Sequence, residues 1–414
     1  MRTLTFVAWS FAAVLATAAP LAFSADPPAN PFVVEWSAAQ KTLRDQATLR
    51  GLMVSSGADG RPHGKVVEII AVAPKNLGNK IMPIIRLVGD INPEMQISLQ
   101  EAVRVVKLRE ANIGKVNIEI SFDEKYSAKS GGSAGAAFAA LLLASLNTFE
   151  PAEDAALTGD ITVDGKVRAI GAVGPKLEGA AQGHLRALAL PKANAAQLDD
   201  AVLLAGPKLV WNIQALSVVT LDDALAILRK DRSAQLTEAM ALFDGLAKTM
   251  ADHPVTDLEK DSKARETLAK ILTLAPNHLS AITLQKFAAG KGPRVLSLNA
   301  SIQEAALSLG RLRSLLATTY LTNDAAMADA PGLAATRAQV AKLRELGDPA
   351  IKGVLSAIED YCTSCDQALE LKAHPDARRM RDNMEACCTK RVAIRDAILK
   401  LIDDRETFDR LMRE

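Results

Sequence analysis

Two rhythms of apolar and polar positions run along this chain, and one gives way to the other near residue 230. Before that point, short runs rich in branched apolar residues at 66–72, 82–88, 116–122, 167–170, 187–190, 209–213 and 218–220 predict strands. Helical patterns lie between them. Asn92-Pro93 opens one that runs to about Glu110, with Asn92 as cap and Pro93 in the first helical position. Residues 134–146 are apolar nearly all round, a pattern a helix tolerates when it is buried on every side. Asp164-Gly165, flanked by Ile161–Val163 and Val167–Ile170, marks a tight hairpin. Thr220-Leu221-Asp222-Asp223 predicts a capped helix ending near Leu228. This half therefore reads as α+β or α/β.

After Ser233 the period is helical throughout, over 236–250, 264–274, 279–287, 302–316, 334–346, 351–369 and 392–411. His253-Pro254, Ala275-Pro276-Asn277, Lys291-Gly292-Pro293, Ala330-Pro331-Gly332 and His374-Pro375 mark breaks. The second half is expected to be all-α, a helical bundle or a repeat-like array, although residues 264–287 have no second copy at fixed period. The first 25 residues combine Arg2, an apolar run from Leu4 to Leu21, small residues up to Ala25 and then Asp26-Pro27-Pro28. That is the order of a secretory signal. The expected organisation is a signal peptide over 1–25, a linker over 26–46, a mixed domain over 47–230 and a helical domain over 231–414. The mature protein is expected to be exported, periplasmic or secreted.

Composition narrows the function by exclusion. Of 414 residues, 4% are aromatic and the net charge is +1. There is neither a set of stacking platforms for single strands nor a basic footprint for a duplex, so no nucleic-acid partner is expected. No G-x-x-x-x-G-K-[ST] phosphate loop occurs, so no ATP is expected either.

The chemistry concentrates at Ser130-Gly131-Gly132-Ser133-Ala134-Gly135, a serine between glycines at the mouth of the buried helix. Backbone N–H groups at such a helix start, around Gly132 and Ala134, suit an oxyanion. Forty-three residues on, Gly174-Pro175-Lys176-Leu177 puts Lys176 in the first turn of another helix. Desolvation and the positive helix end both favour the neutral amine there. A neutral amine accepts a serine proton, as in Ser–Lys dyads. The same serine string also satisfies the G-x-S-x-G elbow of α/β-hydrolases, but residues 123–130 are polar and none of the five histidines sits in a suggestive context.

The whole order of strings resembles the proteolytic domain of the Lon protease family. There a Gly-Pro-Ser-Ala-Gly box opens a buried helix. A Thr-Gly-Glu-Ile-Thr strand, a Gly turn, a Pro-Ile-Gly-Gly strand end and a Lys-Glu-Lys-Leu helix start follow. The matching strings here are Gly131-Gly132-Ser133-Ala134-Gly135, Thr158-Gly159-Asp160-Ile161-Thr162, Asp164-Gly165, Ala169-Ile170-Gly171-Ala172 and Pro175-Lys176-Leu177-Glu178. Leu87-Val88-Gly89-Asp90 upstream and Leu188-Ala189-Leu190-Pro191 downstream also fit. The resemblance spans residues 47–230 and implies an α+β Lon-type proteolytic domain. It further implies Ser133 as nucleophile, Lys176 as base, Thr158 orienting the amine, polypeptide substrates and, as a class habit, a homo-oligomeric ring. With no phosphate loop in the sequence, proteolysis is expected to be ATP-independent and to need no cofactor or metal. Departures are Gly132 for the family proline, Ser130 for an acid, and Asp160 for Glu. Gly131-Gly132 loosens the serine loop, which bears on rate through preorganisation. The competing expectation is a Lon-like scaffold or peptide-binding module without catalysis.

All four cysteines lie in the helical half. Cys362 and Cys365 share a helix face, and Cys387-Cys388 lies beyond the His374-Pro375 break. In an oxidising compartment this predicts two disulfides stapling a helical hairpin, in preference to zinc.

Overall fold

A computed structural model of the chain describes residues 40–57, 61–74, 84–124, 131–310, 330–374 and 376–412. The expected signal segment and most of the expected linker lie outside the described residues. The end of that linker is packed: the Gln40 amide donates to the Asn117 carbonyl (3.1 Å) and accepts from the Asn117 N–H (2.8 Å), and Leu43 is buried.

Seven strands form one mixed sheet: β1 (Gln46–Ser56), β2 (Pro62–Val72), β3 (Ile85–Leu87), β4 (Ile118–Phe122), β5 (Ala155–Leu157), β8 (Ala187–Pro191) and β9 (Gln214–Val218). Their order is β3-β4-β2-β1-β5-β8-β9. β1 and β2 form a long antiparallel hairpin in which Gln46 pairs with Val72 and Ser56 with Pro62. From β1 to β9 every pairing is parallel. The short hairpin of β6 (Asp160–Ile161) and β7 (Val167–Arg168) turns at Gly165, whose φ of 76° suits the residue with no side chain.

The capped helices form where their signals stand. In α1 (Pro93–Arg109) the Asn92 side chain accepts from the Met95 N–H. α2 (Gly135–Ser145) is buried at every residue, as its uniform apolarity requires. α3 (Val173–Gln182) and α4 (Ala195–Ala205) cover the sheet, and the short α5 (Lys208–Trp211) follows. α6 (Leu221–Leu228) starts on a full capping box between Thr220 and Asp223.

One expected strand is corrected. Residues 209–213 turn out to be largely helical, in α5 and its exit, and the strand is Gln214–Val218 instead. Leu209, Val210 and Trp211 are all buried, and a short apolar run carries no period with which to separate a buried helical turn from a buried strand. Pro207, whose φ of −67° already suits a helix, sets the turn. β1 and β5 were not expected as strands. β1 has Arg50 and Gly51 in its middle, and β5 is three residues long, so both owe their extended form to neighbours in the sheet.

From Ala234 on, the described chain is helical: α7 (Ala234–Met250), α8 (Asp257–Lys260), α9 (Ser262–Leu274), α10 (Leu279–Ala288), α11 (Leu298–Gly310), α12 (Ala330–Leu346), α13 (Lys352–Ala373), α14 (Ala377–Asp403) and α15 (Arg405–Leu411). Ala330-Pro331-Gly332 lies at the start of the described part of α12, and the residues before it lie outside the described ones. Hydrophobic packing does not part at residue 230. One core runs from Leu43 to Ala288 and a second from Leu296 to Ile394. α7–α10 belong to the first because the chain at 277–280 covers the open edge of β9. The Ser217 N–H donates to the Asn277 carbonyl (2.7 Å) and the Ala215 N–H to Ser280 Oγ (2.9 Å), while Ser280 Oγ donates to the Ile213 carbonyl. An edge strand with unpaired N–H and C=O groups needs such a cover.

The expected disulfides are not formed: all four cysteines are free thiols. Cys362 and Cys365 are buried on α13, and Cys387 of α14 packs against the same core, its thiol donating to Asn383 Oδ1 (3.7 Å). Cys388, the next residue, points about 100° away around the helix. It takes an Arg391 N–H at 3.4 Å instead, so the adjacent pair does not face α13 together.

His278 lies in the β9 edge cover, fully buried. Its Nδ1 accepts from the Ala281 N–H at the start of α10, and its Nε2 is 3.1 Å from Gln214 Oε1. Burial pushes its pKa down to about 4 from an ordinary 6.5. The unfolded chain therefore takes up this proton first as pH falls, and stability present above pH 6.5 drains away toward pH 4. Denaturant unfolding at pH 5 and pH 7 should show about 2 kcal/mol lost through this residue. His278→Asn, which keeps a capping acceptor, should flatten that part of the acid slope; an unchanged slope would exclude His278 as its source.

Candidate active site

Lys176 reaches its place because α3 lies almost in backbone contact with β2. A Cβ added at Gly64 would stand 1.9 Å from the Pro175 carbonyl oxygen, and one at Gly179 would stand 2.3 Å from the Gly64 carbonyl carbon. Pro175, Gly179 and Gly183 are successive one-turn positions, so a single stripe of α3 rides on Gly64–Val66. The helix starts from Ala172, a left-handed residue with φ 57° whose carbonyl accepts the Lys176 N–H. Such a conformation strains an alanine by about 1 kcal/mol, so the packing around it holds the turn in place.

Ser133 sits in the 3₁₀ turn Gly132–Ala134 that leads into α2. Gly131 enters that turn at φ 104°, a conformation open to glycine. The turn is pinned from two sides. The Ser133 carbonyl accepts the Gly159 N–H (2.9 Å), the Ala136 N–H donates to the Gly159 carbonyl (3.0 Å), and Ser98 Oγ donates to the Gly132 carbonyl (3.3 Å). Thr158, just after β5, is 1% exposed and held in the sheet by its N–H to the Ala189 carbonyl.

The structure brings Ser133, Lys176 and Thr158 together. Lys176 Nζ is 3.1 Å from Ser133 Oγ and 3.1 Å from Thr158 Oγ1, and Thr158 Oγ1 is 3.5 Å from the Ser133 carbonyl oxygen. In the neutral amine the Ser133 hydroxyl donates to Nζ, while Nζ donates to Thr158. Thr158, bonded on both sides, fixes where the lone pair points. Lys176 is 4% exposed, and desolvation lowers its pKa to about 8 from 10.5. Gly132 and Ala134 flank Ser133 in the helix-entry turn, and the positive end of α2 faces the same space.

These groups open onto a cavity of about 450 Å³. Leu52, Val54, Met95 and Phe122 make an apolar wall, and Asp160 brings a carboxylate to the serine side. Ser98, Gly64 and Gly179 are structural parts of the site to which the sequence alone assigns no role. Among the described residues no group of three or more His, Cys, Asp or Glu side chains is placed to hold a metal ion, and no helix is long and apolar enough to cross a membrane.

The sequence comparisons agree with this architecture. Residues 63–227 match the family model of the Lon protease (S16) C-terminal proteolytic domain. The Lon protease of Buchnera aphidicola is 28% identical over 160 residues, 34% of this chain and 21% of that protein. The Lon protease of Vibrio parahaemolyticus is 29% identical over 146 residues, 34% and 18%. The archaeal Lon protease of Thermococcus kodakarensis is 27% identical over 173 residues, 42% and 26%. The chain thus carries an α+β Lon-type proteolytic domain followed by helices. It spans about a fifth to a quarter of the length of these relatives.

Two substitutions test the geometry. Gly179→Ala places a methyl against the β2 backbone and should lift α3, with about 1–3 kcal/mol lost, as for other overpacked sites. Lowered thermal stability together with slower labelling of Ser133 by a serine-directed fluorophosphonate is the expected result. Lys176→Met removes an amine that the unfolded chain protonates more readily. Unfolding at pH 7 should show a gain of roughly 1–3 kcal/mol that fades as pH rises through 10.5. A loss at pH 7 would mean that the amine's hydrogen bonds outweigh its desolvation.

Proposed function

We propose that this chain is an ATP-independent serine endopeptidase acting on polypeptides outside the cytoplasm, with Ser133 as nucleophile and Lys176 as general base. The observation that carries the reading is the desolvated Lys176 amine at 3.1 Å from the Ser133 hydroxyl, at the wall of a substrate-sized cavity. The match to a proteolytic domain supports it.

In this reading Ser133 Oγ attacks the carbonyl carbon of the scissile bond as its proton passes to Lys176 Nζ. The developing oxyanion faces backbone N–H groups at the Gly132–Ala134 turn and the positive end of α2. The C–N bond then breaks, and Lys176 returns the proton to the leaving amine. Water attacks the acyl carbon with Lys176 taking one of its protons; the ester C–O bond then breaks, Lys176 returns that proton to Ser133 Oγ, and the acid product leaves. Thr158 keeps the amine aimed throughout. Export rests on the apolar start of the sequence and the small residues before Asp26. N-terminal sequencing of protein from its native compartment should find a start after a cleavage between Ala18 and Ala25; an intact Met1 on cytoplasmic material would refute export.

With a pKa of about 8, Lys176 is about one-tenth neutral at pH 7 and nine-tenths neutral at pH 9. Hydrolysis of unfolded casein without nucleotide should therefore rise roughly tenfold between those values. Ser133→Ala and Lys176→Arg should each abolish it, the second because a guanidinium stays protonated. Thr158→Val should lower kcat by about 10- to 100-fold with KM little changed. Wild-type rates in both dyad variants would refute the assignment. Inert wild type that takes no serine-directed probe would instead favour a scaffold, the reading that Gly132 and Ser130 motivate.

A further inference from the structure

The cavity at Ser133 is lined within the proteolytic domain, but it borders a second one. Gly171 and Ala172 line the first, and the same two residues line the second, of about 100 Å³, on the way to the helical half. One wall of this second cavity is the start of α3 with Gln197 and Leu204 of α4, and the opposite wall is α11, through Asn299, Gln303 and Glu304. α11 lies outside the segment 63–227 that matches the Lon domain.

The α11 wall is fixed firmly. Asp200 on α4 accepts both the Ser297 N–H (2.8 Å) and the Ser297 hydroxyl (2.6 Å) just before α11 begins. Lys342 Nζ donates to the Leu204 carbonyl (2.8 Å). Arg61, next to the tip of the β1–β2 hairpin, donates to Gln339, and Gln339 donates to Glu304 (2.6 Å). These bonds tie α11 and α12 to both sides of the cavity.

We propose that α11 forms the far wall of one continuous polypeptide groove, which leads an extended, unfolded chain over Gly171-Ala172 to Ser133. The inference rests on the Ser133 cavity being a peptidase cleft. The chemistry suits main chain more than any one side chain. Gln303 Nε2 donates to Asn299 Oδ1 (3.0 Å), so two primary amides stand side by side. Primary amides carry both donors and acceptors, as a peptide backbone does. Leu204 and Ala300 add a narrow apolar floor. Such a groove holds an extended segment with little regard for sequence and excludes a folded domain. Gly171, at the saddle, is exposed, and a Cβ added there would meet nothing within 4 Å, so the passage is open.

The test measures binding of fluorescein-labelled, reduced casein to the full chain carrying Ser133→Ala, so that turnover plays no part. Gln303→Trp fills the second cavity from an exposed position that puts no strain on the core. It should weaken binding about tenfold. Lys352→Trp, an equal bulk on the exposed start of α13, should leave affinity unchanged. Unaltered affinity in Gln303→Trp, or equal loss in both variants, would overturn the groove. Labelling of Ser133 by a small fluorophosphonate in the wild-type chain reports on the peptidase reading separately. Failure of that labelling with intact casein binding would remove the chemistry and keep the groove.

Discussion

The geometry of the site depends on the backbone-to-backbone seat of α3 on β2. Side chains at 64 or 179 would hold the helix off by more than an ångström, and Lys176 Nζ would then leave the Ser133 hydroxyl. A hydrogen bond that weakens steeply beyond about 3.2 Å tolerates no such shift. The two glycines thus transmit sheet position into the direction of one amine. β5 does the same from the other side: Thr158 leaves the sheet already anchored by its own N–H and meets the amine at 3.1 Å.

The amine itself is held against its own solvation preference. A pKa lowered from 10.5 to about 8 corresponds to about 3 kcal/mol of disfavoured charge. Desolvation is the cause of the shift. The surrounding packing must therefore carry the cost, chiefly the wholly buried α2 and the sheet beneath it. A lysine placed for structure alone would turn its head to water. This one is kept dry beside a hydroxyl, the arrangement expected where a neutral amine is needed near neutral pH.

The helices after the matched domain are built into it in two ways. α7–α10 close the β9 edge and share the first core, so the parallel half of the sheet is finished by residues beyond 230. α11–α15 form the second core, tied on through Asp200–Ser297, Lys342–Leu204 and the Arg61–Gln339–Glu304 chain. The first attachment is one of stability and the second adjoins the cleft. Through it a helical half stands next to the site formed by Ser133, Lys176 and Thr158.

Local signals in the sequence were enough for the parts that make their own structure. Asn92-Pro93 and Thr220 to Asp223 cap helices through contacts within four residues, and 134–146 is too apolar to be anything but buried. The order of the serine, threonine and lysine strings was legible too, because each string sits at a fixed turn or helix start. What tertiary structure decided lies between segments far apart in the chain. β1 and β5 are extended only because their neighbours pair with them, and 209–213 turned largely helical because burial alone gives no period. The core ran on to Ala288 since an open strand edge at β9 had to be covered, and Cys387 and Cys388 diverged around one helix so that only the first packs against the core around Cys362 and Cys365. The 3.1 Å between Lys176 and Ser133 belongs to the same class: both residues are local signals, but their meeting requires Gly64, more than a hundred residues before Gly179, to leave room for a helix.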